Sequence, residues 1–220
     1  MHLGVIPDGN RRYAENHNMP KIKAYRKAKN VIAEVFENVE ELPFEIDEAT
    51  FYLLSEENLK RDDEDLEELF KLMEQHISEI AERLNDTGFV FNWVSTRPEA
   101  IPEHLQRKLK DLEKEFDEGE KTLNALISYS GKQDIVNASD KLNGKSSEMK
   151  LENNLEIKSD IDYVIRTGDN PTRECLSGFP IWNSSYAEFY HLKKNFPAVT
   201  EEDVKDALNH FQKLRKKKGE

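Results

Sequence analysis

His2-Leu3-Gly4-Val5-Ile6-Pro7-Asp8-Gly9-Asn10-Arg11-Arg12-Tyr13-Ala14 passes from an apolar run to an acid, a glycine, an amide and two arginines. Leu3 to Ile6 are β-compatible, Pro7 ends the strand, and Asp8-Gly9-Asn10 is turn chemistry that leads into a helix-compatible Arg-Arg-Tyr-Ala segment. A strand, a turn and a helix N-terminus in that order make an anion site, because unpaired N–H groups and the positive helix end both face the turn. Asp8 has two readings there. A carboxylate repels phosphate unless a divalent cation lies between, so Asp8 with Arg11 and Arg12 fits a Mg²⁺-bridged phosphate or diphosphate. Equally, Asp8 could simply cap the helix.

Outward from this stretch, helical and extended patterns alternate. Tyr25, Ala28, Val31, Ile32, Val35, Phe36 and Val39 recur at helical spacing, and Ala49 to Leu54 read as a buried strand. Leu66, Leu69, Phe70, Met73, Ile77, Ile80 and Leu84 form an apolar helical stripe closed by Asn85 to Gly88. Strands are predicted at Phe89 to Val94, Leu123 to Tyr129, Tyr163 to Ile165 and Ala187 to Tyr190, and helices at Pro102 to Phe116 and Gly131 to Leu142. A last helix opens on the acids of Thr200 to Asp203 and closes on the bases of Lys213 to Lys218, as the macrodipole favours. Residues 143–154 are polar and predicted as a flexible loop, and 214–220 as a frayed basic tail.

Strands separated by helices predict an α/β fold, one domain over residues 1–220, with a mostly parallel central sheet covered by helices. Ligands of such sheets bind where strand ends meet loops. Polar chemistry gathers at four of these ends: Asp8 to Arg12, Ser55 to Arg61, Tyr129 to Lys132, and Arg166 to Arg173. Three of them carry Arg, the side chain that matches phosphate geometry bidentately, which points to an anionic, phosphate-rich ligand. A solvated surface charge is the ordinary reading of any one of these arginines.

Composition narrows the classes. A net charge of -12 argues against a general nucleic-acid binder, whose affinity needs an excess of Lys and Arg. The single cysteine, Cys175, excludes an internal disulfide framework and a multi-Cys zinc site, and fits a reducing cytoplasm. No apolar run approaches the roughly 20 residues that span a bilayer, and residues 1–15 lack a signal peptide's apolar region. A soluble cytoplasmic protein is expected.

Four blocks taken together resemble the ordered motif set of the cis-prenyltransferases, the family of undecaprenyl and dehydrodolichyl diphosphate synthases. They are Asp8 to Ala14, Ser55-Glu56-Glu57-Asn58-Leu59-Lys60-Arg61, Arg166-Thr167-Gly168, and Trp182 to Tyr190. The similarity runs from residue 2 to about residue 213 in one order, and Asn-Arg-Arg-Tyr looks like the archaeal and eukaryotic branch. The resemblance implies repeated addition of isopentenyl diphosphate to an allylic diphosphate primer, farnesyl or geranylgeranyl diphosphate. The product would be a cis-polyprenyl diphosphate, precursor of a lipid glycosyl carrier. It implies Asp8 and Glu188 as Mg²⁺ ligands, with Asp8, Asn10 and Arg12 at the chemistry. Gly9, Asn10, Arg11, Arg12 and Tyr13, with Ser55, Asn58 and Arg61, would hold the allylic diphosphate. Arg166, Arg173 and Ser177 would hold the isopentenyl diphosphate. A homodimer, transient membrane contact at the inner face for product release, and a hydrophobic tunnel between the helices at 24–39 and 66–84 also follow from it.

Two stretches depart from the family. Where it carries Gly-His-x-x-Gly, this chain reads Lys23-Ala24-Tyr25-Arg26-Lys27-Ala28, so Lys23, Arg26 or Lys27 is expected to supply the missing cation. The loop from Gly168 to Leu176 is longer than the family's, and Arg173 is the arginine it offers. The lost block leaves a rival reading, a non-catalytic subunit of a heteromeric cis-prenyltransferase. A nucleotide phosphotransferase would need a phosphate loop, and Ser128-Tyr129-Ser130-Gly131-Lys132 lacks both the leading glycine and the Ser/Thr after Lys. The acids Asp62-Asp63-Glu64-Asp65 read as a helix start rather than a metal motif, Cys175 as a free thiol, and His2 as structural. Asp8→Ala is expected to abolish elongation while barely changing stability.

Overall fold

A computed structural model describes the chain except residues 38–41, 61–62, 85–87, 143, 145, 171–173 and 219–220; the side chains of 36–37, 63–65, 80–84 and 215–218 also lie outside the description. Six strands form one sheet: β1 (His2–Ile6), β2 (Glu48–Ser55), β3 (Phe89–Val94), β4 (Lys121–Tyr129), β5 (Tyr163–Thr167) and β6 (Glu188–Leu192). Their order is β3-β4-β2-β1-β5-β6, and every pairing is parallel. The helices are α1 (Asn10–Asn16), α2 (Lys21–Glu37), α3 (Asp63–Leu84), α4 (Glu103–Glu115), α5 (Gly131–Asp140), α6 (Glu148–Glu152) and α7 (Glu201–Lys218).

Both faces of the sheet are covered, which is why its strands read as apolar runs rather than alternating ones. Leu3 and Val5 of β1 join the larger core with α2, α3, α4 and α7, whereas Ile6 joins the smaller core with Leu126, Ile157, Val164 and Phe179. Gly4 is needed on that second face, since a Cβ there would stand 2.7 Å from the Phe179 ring. The polar stretch at 143–154 is not wholly a loop: Ser147 accepts from Lys150 N and caps α6. The basic end at 214–218 is likewise helical rather than frayed, because α7 continues to Lys218.

At the N-terminal edge of the sheet His2 is 4% exposed and hydrogen-bonds Thr50 Oγ1 through Nε2 (2.7 Å) and Ser159 Oγ through Nδ1 (2.9 Å). Burial pushes its imidazole below the ordinary value, although Glu48 and Asp162 pull the other way. The folded state therefore keeps the ring neutral where an unfolded chain takes up a proton. Stability is full above the unfolded value of about 6.5 and is lost as pH falls toward the folded one. The thermal unfolding midpoint is expected to drop on acidification below about pH 6.5, with a shallower slope in His2→Gln. His76, shifted the same way by burial, supplies part of the slope that remains.

All six parallel strands deliver their C-terminal ends to one edge. β1 lies between β2 on one side and β5 on the other, so the loops after β1 and β5 diverge there and leave a crevice.

Candidate active site

The opening stretch folds as its residues predict. Asp8 N donates to Ile6 O (2.9 Å), Gly9 turns with φ 98°, and Gly9 O accepts from Tyr13 N (2.8 Å) to start α1. Asp8 does not cap that helix. The capping position belongs to Gly9 without a side-chain cap, and Asp8 Oδ1 accepts instead from the adjacent Gly9 N (2.6 Å). The Asp8 carbonyl is pinned by Thr167 Oγ1 (2.8 Å) and Phe196 N (3.0 Å), which ties the turn to β5 and to the segment before α7.

Gly9 has no room for a side chain. A Cβ would lie 2.1 Å from Asn195 Oδ1 and 2.9 Å from Asn195 Cα, in a left-handed conformation that already disfavours one. Gly9→Ala is expected to cost about 2 to 3 kcal/mol, which thermal denaturation would read as a fall of roughly 5 to 10 °C.

The Asp8 carboxylate faces two arginines. Arg166, 2% exposed, lies opposite Ile6 in the β1–β5 register. Its NH2 donates to Asp8 Oδ2 (2.6 Å), and its NH1 donates to Ser177 Oγ (2.7 Å) and to the Cys175 carbonyl. Its Nε has no hydrogen-bond partner among the described residues. Arg12 NH2 lies 3.4 Å from Asp8 Oδ1, and its Nε donates to Asp169 Oδ1 (2.8 Å). Burial alone would raise the Asp8 carboxyl, but the hydrogen bond and charge of Arg166, with Arg12 and the Gly9 N–H, outweigh it and hold Asp8 below its usual range. Asp8 is ionised at neutral pH.

These groups line a cavity of about 380 Å³. Of the residues singled out in the sequence, Asp8, Gly9, Asn10, Arg11, Arg12, Ser55, Asn58, Arg166 and Ser177 all lie on its wall. Asn58 N donates to Ser55 Oγ (3.2 Å) and fixes the turn after β2. Arg61 and Arg173 lie outside the described residues, as do Asp62 and the side chains of Asp63 to Asp65, although α3 does begin at Asp63.

Three expectations need correction. Tyr13 is not on the wall; it is buried against Ala14 and Ala24, stacks on His17 and accepts from Lys27 Nζ (3.2 Å). Lys23, Arg26 and Lys27, one of which was expected at the missing Gly-His block, are exposed and off the cavity wall; Tyr25 faces the cavity in that region. Glu188 opens β6 opposite Tyr163, at the start of β5, whereas Asp8 follows the other end of β1. The parallel register puts the two at opposite edges of the sheet, and within this chain Glu188 cannot share a metal with Asp8.

The sequence reading also missed residues. Asp169 shares the Arg12 guanidinium with Asp8 and accepts from Asn195 Nδ2 (2.8 Å), and its signal was its place directly after Arg166-Thr167-Gly168. Tyr52, hidden inside β2, also reaches the wall, where its OH donates to Tyr129 O (3.0 Å). Nothing in the strand pattern marks it.

The donor set fits Mg²⁺ delivered with phosphate rather than a cage. Mg²⁺ is held through one or two carboxylates and substrate phosphates, a requirement with which a single ionised carboxylate, Asp8, is compatible. Among the described residues no three His, Cys, Asp or Glu side chains cluster as a self-sufficient site. Asn10 Oδ1, buried and without a hydrogen-bond partner among those residues, is a second hard oxygen beside the same turn.

A family profile described as "Putative undecaprenyl diphosphate synthase" matches residues 6–219. The chain is 31% identical to an isoprenyl transferase of Thermotoga maritima, over 99% of this chain and 96% of that one. It is 29% identical to a tritrans,polycis-undecaprenyl-diphosphate synthase (geranylgeranyl-diphosphate specific) of Picrophilus torridus, over 100% and 89% of the two chains. In fold it is similar to lavandulyl diphosphate synthase from Lavandula x intermedia, solved with dimethylallyl diphosphate, at a TM-score of 0.87 and 23% identity over 96% of this chain and 94% of that one.

Proposed function

We propose that this chain, which belongs to the undecaprenyl diphosphate synthase family of prenyltransferases, condenses isopentenyl diphosphate with an allylic diphosphate primer, farnesyl or geranylgeranyl diphosphate. One observation carries the reading. Asp8, Gly9 to Arg12 and Arg166 converge from adjacent strand ends on one cavity, and no nucleophilic side chain is needed for what they can do. Breaking an allylic C–O bond leaves negative charge on the departing diphosphate. The N–H groups of the first turn of α1, with Arg11 and Arg12, would receive that charge, and fixed donors of this kind need no reorganisation as it develops. Mg²⁺, when bound at Asp8, would supply Lewis-acid neutralisation of the diphosphate. Arg166 and Ser177, already hydrogen-bonded to each other, would present the second diphosphate from the β5 side.

The relatives named for undecaprenyl diphosphate support the further reading that the product is a cis-polyprenyl diphosphate and the precursor of a lipid glycosyl carrier. No helix among the described residues is long and apolar enough to cross a membrane, so product release at a membrane would be a peripheral contact. A homodimer is supported by the open edge of β6, beside Tyr186 at 95% exposure, and sedimentation should give twice the chain mass.

The test is the purified chain with farnesyl or geranylgeranyl diphosphate, labelled isopentenyl diphosphate and Mg²⁺, with and without chelator. Extension that stops on chelation is expected. The absence of a cation from the Lys23 to Lys27 stretch on the cavity wall favours one rival, a non-catalytic subunit. No extension by the chain alone, with extension restored by a homologous partner, would establish that rival.

A further inference from the structure

We propose that Asp169 is a positioning residue that holds the Arg12 guanidinium ready for a diphosphate; the proposal rests on the reading of the cavity as a prenyl diphosphate site. Arg12 projects from the first turn of α1 with its side chain 31% exposed, so left to itself it would be a long side chain free to swing. Two carboxylates take one edge of the guanidinium. Asp169 Oδ1 accepts from Nε (2.8 Å), and Asp8 Oδ1 lies 3.4 Å from NH2. Gly168 lets the group lie close against the chain, since a Cβ there would stand 2.9 Å from Arg12 NH2. NH1 has no hydrogen-bond partner among the described residues, so NH1 and the second NH2 proton remain as a fork, the geometry that meets phosphate oxygens bidentately.

Asp169 is itself held. Its Oδ2 accepts from Asn195 Nδ2 (2.8 Å), and Asn16 Nδ2 lies 3.4 Å from the same oxygen. Three consecutive residues bind this corner of the sheet: Lys194 O accepts from Gly168 N (2.7 Å), Asn195 Nδ2 donates to Asp169, and Phe196 N donates to Asp8 O (3.0 Å). Asn195 is 8% exposed and its Oδ1 has no hydrogen-bond partner among the described residues, so its amide is turned toward Asp169 although that leaves a buried acceptor unmet. An unmet buried acceptor is destabilising, and its retention here favours a role for the group it orients. Burial would raise the Asp169 carboxyl, but Asn195 and Arg12 outweigh it and hold the group below its usual range, ionised at neutral pH. Its charge alone would repel a diphosphate. What it contributes is order: the side-chain freedom that Arg12 would lose on meeting the ligand is already lost.

The experiment titrates inorganic pyrophosphate with Mg²⁺ into the full chain by calorimetry and repeats it on Asp169→Asn and Asp169→Ala. Both variants remove the same charge, but the amide keeps an acceptor for Arg12 Nε, and Asn195 can turn to meet it through the Oδ1 that now lacks a partner. Asp169→Asn is therefore expected to bind pyrophosphate at least as tightly as the wild type. Asp169→Ala should bind about three- to tenfold more weakly than Asp169→Asn, the effect of ordering one long side chain on binding. In an Arg12→Ala background the two substitutions should give equal affinities. The Asp169 side chain is 38% exposed, so both variants should fold, which thermal unfolding checks. Equal affinities of Asp169→Asn and Asp169→Ala would overturn the proposal whatever their level: at the wild-type value Asp169 would be structural only, and above it a competitor of the diphosphate for Arg12. A difference between the two that persisted without Arg12 would overturn it as well, because Asp169 would then act by another route. A wild type that failed to bind pyrophosphate would instead refute the diphosphate reading, and the role of Asp169 with it.

Discussion

Asp8→Ala is expected to cut chain extension by about a thousandfold, the scale on which removing one electrostatic stabiliser of a developing charge acts. It should also lower stability by about 2 kcal/mol, because it strips the counter-charge from a buried guanidinium. The second half of this expectation departs from the sequence reading, in which the substitution barely touches the fold. Arg166 is 2% exposed, and Asp8 is the carboxylate that its NH2 meets. The Cys175 carbonyl and Ser177 Oγ remain as acceptors, and Asp8 is itself partly solvated, which keeps the loss below that of a fully buried pair. Asp8→Asn separates the two effects. The single amide oxygen can accept from Arg166 or from Gly9 N but not from both, which meet different oxygens of Asp8, so only part of the stability should return, while the charge that would hold Mg²⁺ does not. Initial extension rates and urea unfolding of both variants would show it, and Asp8→Ala that unfolded yet kept full turnover when folded would contradict the assignment.

Arg166→Ala should be the more damaging substitution, costing about 3 to 5 kcal/mol, since it leaves Asp8 only the more distant Arg12 and the Gly9 N–H and opens space at the end of β5. Arg166→Lys is not a conservative replacement here. One ammonium cannot reach Asp8 Oδ2 on one side and both Ser177 Oγ and the Cys175 carbonyl on the other, a set that Arg166 spans with two NH2 groups of a planar fork. Ser177→Ala removes only one of those acceptors and should cost about 1 kcal/mol. Urea denaturation would rank the three, and equal midpoints for Arg166→Lys and the wild type would show that the fork is not what holds the site.

The order of the elements was readable because this sheet is simple in pattern. Buried parallel strands give apolar runs, the helices between them give 3.6-residue stripes, and the turn at Asp8 to Asn10 marks where one period changes to the other. What the chain order could not convey was which end of a strand a residue occupies once the strands are stacked. Asp8 and Arg166 stand at C-terminal ends and meet; Glu188 stands at the beginning of β6 and is carried to the far edge. Tyr13 was misread for a different reason, since a tyrosine one helical position past Arg12 turns away from the turn and packs on Ala24. Asp169 had one local signal, its place directly after Arg166-Thr167-Gly168, whereas Tyr52 reaches the site through tertiary contacts with nothing in the strand pattern to distinguish it from a core aromatic.

The most direct measurement is a crystal structure of the full chain with Mg²⁺ and a non-reactive thio-analogue of an allylic diphosphate. The account predicts diphosphate density against the Gly9 to Arg12 turn, with Mg²⁺ between it and the Asp8 carboxylate and the hydrocarbon tail directed between α2 and α3. Diphosphate seated away from that turn, with Asp8 still paired only to Arg166 and Arg12, would contradict it.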